Sequence, residues 1–182
     1  MAYLPRDERR VAIVDATLRV IRRDGFGAVS ARAVAQELGG SPGLIHQHFP
    51  SVQELVATAW RGYVSENLAE FSGAMLHREV DPLAEFFANH LDQSQGAELW
   101  IWADAWAHAL RSPEFAAVFA ETLSQLTGAL CDAAPEVTEV GAERAVLLGV
   151  ALAGAQRIAP ERYGVERLAA IIAESSPGVV SG

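Results

Sequence analysis

The stretch Ser30–Phe49, SARAVAQELGGSPGLIHQHF, constrains this chain more than any other. Ser30 is a good N-cap, and Val34, Ala35 and Leu38 give a short first helix one apolar face. Gly39 and Gly40 break that helix, because glycine takes the left-handed turn at no steric cost. Ser41 is placed to cap a second helix, and Pro42 sits at its first position, where a missing N–H does no harm. Ile45 and Phe49, four residues apart, point back toward a core. Small Ala35, the turn at Gly39 and apolar Ile45 let two helices close across a tight turn, the helix-turn-helix pattern. Leu44, His46, Gln47 and His48 then lie on or near the outer face, on the kind of helix that enters a DNA major groove. A tight corner inside a helical bundle would show the same pattern.

The rest of the chain reads as all-α, with about nine helices and no sustained strand alternation. Arg6–Asp24 is a first helix with Val11, Val14, Leu18 and Ile21 on one face, closed by Gly25 and Gly27. Ser51-Val52-Gln53-Glu54 is a capping box, with Ser51 as the cap and Glu54 reaching back. It opens a helix running to about His77, roughly 40 Å at 1.5 Å per residue. A helix that long belongs to both a head and a body, so no flexible linker separates them. Further helices are expected from Asp81-Pro82 to about Gln93, from Glu98 to Arg111 after a break at Gly96, and from Pro113 to about Ala133. Two more follow, over residues 140–158 and from about Val165 to Glu174, leaving Ser175–Gly182 as a disordered tail.

Charge divides the chain. Residues 1–51 hold seven arginines against five acids, a net +2, whereas residues 52–182 hold seven against eighteen, a net −11. An evenly acidic chain would be a poor nucleic-acid binder, but a positive end permits DNA contact there while the acidic body stays away from phosphates. A mean hydropathy of +0.15 suggests extra buried surface, such as a subunit interface. The single Cys131 excludes an intrachain disulfide framework and reads as a small apolar residue. A polar N-terminus and interrupted apolar runs show no leader or membrane span, which implies a cytoplasmic protein.

An enzyme finds little support. There is no Gly-rich phosphate loop, His-Glu-x-x-His, cysteine pair or Gly-x-Ser-x-Gly, and nothing calls for a cofactor or metal. His46 and His48 are two apart and point to different sides of a helix. Asp104 and His108 have i,i+4 spacing, most often a surface contact. More suggestive is the aromatic set Trp60, Tyr63, Phe86, Phe87, His90, Trp102, Trp106 and Phe119. Aromatics at helical spacing are usually core, but Trp100, Trp102 and Trp106 cannot share one face. Some of the set would line a pocket between helices, and tryptophan faces beside Asp104 would suit a cation.

The segment AVLLGVALAGA is apolar on nearly every side. Such a helix is buried on more than one side, either as a central core helix or against a second copy of the protein. Val146, Gly149, Val150 and Ala153, with Leu168 and Ile172 of the last helix, are the expected interface residues.

RRVAIVDATLRVIRRDGFGAVS, ARAVAQELGGSPGLIHQHF and PSVQELV together resemble the N-terminal domain of the TetR family over residues 9–60. Beyond that the likeness is architectural. WIWADAWAHALRSPEF also looks like the body of choline-responsive repressors of betaine synthesis. The resemblance implies a helix-turn-helix domain over 1–51 and a ligand-binding, dimerising body over 52–182. It implies a homodimeric repressor on a near-palindromic double-stranded DNA operator, released by a small molecule that shifts the long helix. The last two helices of each subunit would form a four-helix interface. Ser30, Arg32 and Ser41, with backbone amides at the starts of the short helices, would hold phosphates. Gly43 would allow close backbone approach, and Leu44, His46, Gln47 and His48 would meet bases or backbone. Two residues depart from the family's pattern: His46 stands for a usual tyrosine and Val52 for a usual lysine. Both positions look toward phosphates in that family, so anchoring is either weaker or moved to Arg32 and the first-helix arginines. A helical protein-binding dimer with a weakened DNA head is the alternative.

Overall fold

The computed structural model describes residues 5–77, 80–92 and 96–175. Among these are nine α-helices and one short 3-10 turn, with no strand: α1 Arg6–Asp24, the turn Phe26–Ala28, α2 Ala31–Leu38, α3 Pro42–His48 and α4 Val52–His77. Then come α5 Pro82–Leu91, α6 Gly96–Ala109, α7 Pro113–Ala133, α8 Glu139–Ile158 and α9 Val165–Ser175. Gly96 therefore lies in the first turn of α6 rather than breaking the chain before it. The expected end of α5 at Gln93 and most of the expected tail lie outside the described residues.

Local chemistry accounts for the helix starts. The Ser30 hydroxyl accepts from the Ala33 N–H at 3.1 Å and Ser51 from the Glu54 N–H at 3.1 Å. Asp81 accepts from Ala84 N–H at 2.7 Å, and Thr138 from Gly141 N–H at 3.1 Å. Pro82 and Pro113 each follow their cap, where a helix needs no N–H. Two expected caps differ. Ser41 has the extended backbone of a cap residue, but its side chain makes no capping bond. The Glu54 carboxylate lies 3.9 Å from the Arg10 guanidinium, which draws it toward α1.

Two cores form, and α1 serves both. Ile13, Ala16 and Val20 pack with Val34, Ala35, Ile45, Phe49 and Leu55 in the head. Leu18 and Ile21 pack instead with Phe26, Val56, Trp60 and the body helices. A helix between two cores needs two apolar stripes, and this corrects the single face expected for α1: Val11 is 60% exposed. Leu55 of α4 likewise reaches the head core while Val56 reaches the body core.

In the body, α8 packs against α5, α6 and α7, and α9 packs on α5. The near-uniformly apolar α8 is thus largely a central helix of its own chain. Ala142, Ala145, Val146, Val150, Leu152 and Ala153 are all buried within one protomer.

Candidate nucleic-acid interface and ligand cavity

The head presents α3 as a short rod pinned from behind. Ile45 and Phe49 are each 1% exposed. Burying side chains of this size contributes roughly 1.5–3 kcal/mol apiece. Gly39, at φ 67° and ψ 31°, ends α2 in the left-handed region, and Gly40 N–H bonds back to Ala35 C=O at 2.8 Å. This turn swings α3 across α2. With its inner face pinned, α3 leaves Ser41, Gly43, His46 and Gln47 exposed, with Leu44 and His48 half-buried. Ser30 and Arg32 are exposed at the start of α2. The expected DNA-contacting residues therefore lie on the two short helices and their caps, and six of the eight are open to solvent.

The first-helix arginines are mostly occupied. Arg10 Nη1 donates to the His48 carbonyl at 2.7 Å, and its guanidinium lies 4.1 Å from the centre of the Phe49 ring. It closes the C-terminus of α3, where a cation is favourable. Arg19 and Arg23 each donate to the Glu37 carboxylate at 2.8 Å, fastening α2 to α1. Hydrogen bonds from Arg23 and then Arg19 hold the Glu37 carboxyl below the usual carboxylate range. Arg22 pairs with Glu98 of α6 at 3.4 Å. Arg10, Arg19, Arg22 and Arg23 are thus each engaged by groups of the protein itself. Val52 is half-buried and packs on the body core.

A joint connects head to body. Gly25 ends α1 at φ 84° and ψ 171°, a conformation open essentially to glycine alone. The following Phe26 N–H donates to Asp104 Oδ2 of α6 at 2.7 Å. The Phe26 ring then packs edge-on to Trp60 at 5.6 Å and stacks with His108 at 5.4 Å. Burial pushes the His108 imidazole below its usual value against the opposing pull of Asp104. Asp104 is therefore spent on a backbone amide and does not serve as the carboxylate of a ligand site. Its i,i+4 spacing to His108 places both residues around Phe26.

The aromatic set divides. Trp60 is fully buried at the centre of a cluster, 4.9 Å from Trp102 and 5.9 Å from Phe119. Its Nε1–H donates to Thr122 Oγ1 at 2.9 Å, and that hydroxyl donates to the Val118 carbonyl at 3.1 Å. Tyr63 packs beside it, its hydroxyl pushed up to about 12 mainly by burial. Phe87 is 1% exposed, and Trp106 packs on Phe119 at 6.0 Å. These five (Trp60, Tyr63, Phe87, Trp106 and Phe119) are core and lie outside the cavity lining; Phe86, His90 and Trp102 line the cavity. Trp100 faces elsewhere, under the Arg157 guanidinium at 5.8 Å.

That cavity, about 190 Å³, opens between α4, α5, α6, α7 and α8. From α4 come Asn67, Leu68, Glu70 and Phe71; from α5, Glu85, Phe86, Asn89 and His90. Trp102 and Leu99 form one wall, and Leu126 and Leu130 another. The opposite wall is α8, with Val146, Gly149, Val150 and Ala153. These four were expected at a dimer interface and line the cavity instead. Leu168 is fully buried within the chain, and Ile172 packs on the same body core. A β-carbon on Gly149 would come within 3.2 Å of the Phe86 ring, so its small size serves the contact of α8 with α5. The sequence reading missed Glu70, Phe71 and Asn89. The polar residues on α5 were its one available signal, since core helices rarely carry so many.

The outer side of α8 carries Val140 at 74% exposure, Leu147 at 38% and Ile158 at 85%, with exposed Ala151 between. Those positions recur at helical spacing and form one stripe. No described helix is long and apolar enough to cross a membrane.

Comparison with known proteins agrees with the head and the body. Residues 13–59 match the bacterial regulatory proteins of the tetR family. The HTH-type nicotine-responsive transcriptional repressor HdnoR of Paenarthrobacter nicotinovorans is 30% identical over 106 residues, 53% of this chain and 55% of that protein. The HTH-type transcriptional regulator BetI of Rhizobium meliloti is 31% identical over 58% of this chain and 54% of its own length. The matched region thus spans about half the length of these curated relatives. A transcriptional regulator from Rhodococcus sp. Rha1 superposes with a TM-score of 0.71 at 27% identity, covering 91% of this chain and 92% of that one. Residues 13–59 thus form a helix-turn-helix head of the tetR family of bacterial regulatory proteins, joined to a body with the helical fold of the Rhodococcus regulator.

Proposed function

We propose that this protein is a homodimeric transcriptional repressor that acts in the cytoplasm, binds a near-palindromic operator through α3 and is released by a small molecule in the body cavity. Residues 1–51 serve as the DNA-binding head and residues 52–182 as the ligand-binding and dimerising body. The observation that carries this reading is the pinned α3, which offers Ser41, Gly43, His46 and Gln47 outward from a rigid support. Glutamine can pair with adenine, and the half-buried Leu44 can meet a thymine methyl. Arg32 supplies an exposed cation, and Ser30 keeps its hydroxyl proton for a phosphate while its oxygen caps α2. The outer stripe of α8 supports a subunit interface shifted by one helix face from the expected residues.

Ligand control follows from placement. The cavity touches α4 at Asn67–Phe71, and α4 runs directly into the head core through Leu55. It also touches Trp102, two residues before the Asp104 that holds Phe26 N–H. A ligand that prefers one arrangement of α4 and α6 would change the spacing of two heads on DNA. The nicotine-responsive relative supports control of this kind.

The test is selection from a random duplex library with the purified protein, followed by affinity at two salt concentrations. Enrichment of a palindrome with half-sites about one turn, ~34 Å, apart supports the reading. The occupied arginines and half-buried Val52 favour a second reading, a protein-binding helical dimer with a weakened DNA head. Weak, unselective, salt-sensitive binding would favour that reading instead.

A further inference from the structure

We infer that Arg10 is a positioning residue for DNA recognition: it fixes the C-terminal end of α3 from within the head and does not bind phosphate. This rests on the proposed operator binding through α3. It takes Arg10 out of the first-helix arginines expected to anchor the DNA backbone.

α3 needs a hold from outside itself. It has seven residues, Pro42–His48. Helices shorter than about 12–15 residues are marginal on their own in water. At its N-terminal end the Ser41 side chain makes no capping bond. Buried Ile45 and Phe49 tie its inner face to the head core. They leave the last carbonyls of the helix without helical partners.

Arg10 meets that end. Its Nη1 donates to the His48 carbonyl at 2.7 Å, and its guanidinium lies 4.1 Å from the centre of the Phe49 ring. Its Nη2 lies 3.9 Å from Oε1 of Glu54, in the first turn of α4. One side chain of α1 thus joins the end of α3 to the start of α4. His46 and Gln47, exposed and proposed to meet DNA, directly precede His48. A hydrogen bond to a base holds only within about 2.7–3.2 Å, so a shift of this end by about 1 Å loses it.

The same contacts argue against a phosphate role. One face of the guanidinium lies on the Phe49 ring, one N–H is on a carbonyl, and Nη2 looks toward a carboxylate that would repel a phosphate. Lysine, a point charge without the flat fork, cannot reproduce both the carbonyl bond and the ring contact.

The test compares the full-length wild type with Arg10→Met and Arg10→Lys. Affinity is measured for the selected operator and for random duplex at several salt concentrations, and amide hydrogen exchange without DNA. Arg10→Met should bind the operator about tenfold more weakly, the loss expected for one charge-assisted bond. Its affinity for random duplex and its salt slope should stay unchanged. Exchange at residues 46–49 should quicken about fivefold while α2 keeps its protection. Arg10→Lys, which keeps the charge and covers the case of a poorly folded Arg10→Met, should lose about threefold on the operator at the same salt slope. Equal losses on both duplexes with a slope lower by about 0.9 would make Arg10 a phosphate contact and overturn the assignment. Full operator affinity in both variants, unchanged exchange at 46–49, or faster exchange throughout the head would overturn it as well. If the wild type selects no operator, the regulator reading falls, and exchange at 46–49 still decides whether Arg10 holds α3.

Discussion

The joint at Gly25 and Asp104 makes a quantitative prediction. Asp104→Ala removes the acceptor 2.7 Å from Phe26 N–H in a half-buried setting. A charge-assisted bond whose donor is left partly buried is worth about 1.5–3 kcal/mol. Gly25→Ala has two costs. A β-carbon there would sit 2.8 Å from Asp104 Oδ2, so the carboxylate must move and the same bond is lost. The backbone at φ 84° and ψ 171° also becomes strained for alanine, by roughly 1–3 kcal/mol. In the double variant the clash is gone and the bond can be lost only once, so only the strain remains beside the Asp104→Ala cost. The two substitutions should therefore couple, with the double variant more stable than the sum of the singles implies by the one bond counted twice, about 1.5–3 kcal/mol. Urea unfolding of the four proteins measures this directly. Additivity within about 0.5 kcal/mol would refute the reasoning. It would mean that the Asp104 carboxylate does not rest against Gly25 in solution, and the head–body joint would have to be sought elsewhere. The same Asp104→Ala protein should also bind the selected operator less tightly, because its two heads are less firmly oriented.

Three further outcomes are expected. Val52→Lys should raise DNA affinity with little change in sequence preference and steepen the salt dependence by about one phosphate contact; unchanged salt slopes would count against that side chain reaching the backbone. Leu147→Glu, on the outer stripe of α8, should shift the protein toward monomer in light scattering while preserving its helicity, and an unchanged mass would move the interface off this stripe. The third concerns pH. Burial lowers both His90 and His108 in the folded state, so below about 6.5 the unfolded chain binds protons that the folded chain refuses. Stability is then full above the usual histidine value and falls as the pH drops from there through the folded values. His90→Gln should flatten that fall in urea titrations, and identical slopes would rule out His90 as a source.

Much of the architecture was legible because it is encoded locally. Capping residues, N1 prolines and the Gly39 turn act within four or five residues, so Ser30, Ser51, Asp81-Pro82 and Ser112-Pro113 mark helix starts wherever the chain goes next. The inward pair Ile45 and Phe49 and the outward His46 and Gln47 follow from helical periodicity alone. Ser41 shows the limit even here: position made it the cap, but the side-chain bond depends on a rotamer that sequence does not specify.

What tertiary structure decided is which apolar surface meets which. Composition marks α8 as buried on several sides but cannot say whether α5, α6 and α7 or a second subunit covers it. Packing assigned Val146, Gly149, Val150 and Ala153 to the chain's own cavity and left Val140, Leu147 and Ile158 outside. The aromatic residues were equally ambiguous, because a core and a pocket use the same side chains. Trp60 filled the core and Trp102 faced the cavity through the relative rotation of α4 and α6, a property of neither helix alone. Asp104 found its partner 78 residues away in the Phe26 amide. Periodicity fixes the face on which a residue lies; the partner of that face is chosen by packing between elements distant in the chain, where no local pattern records it.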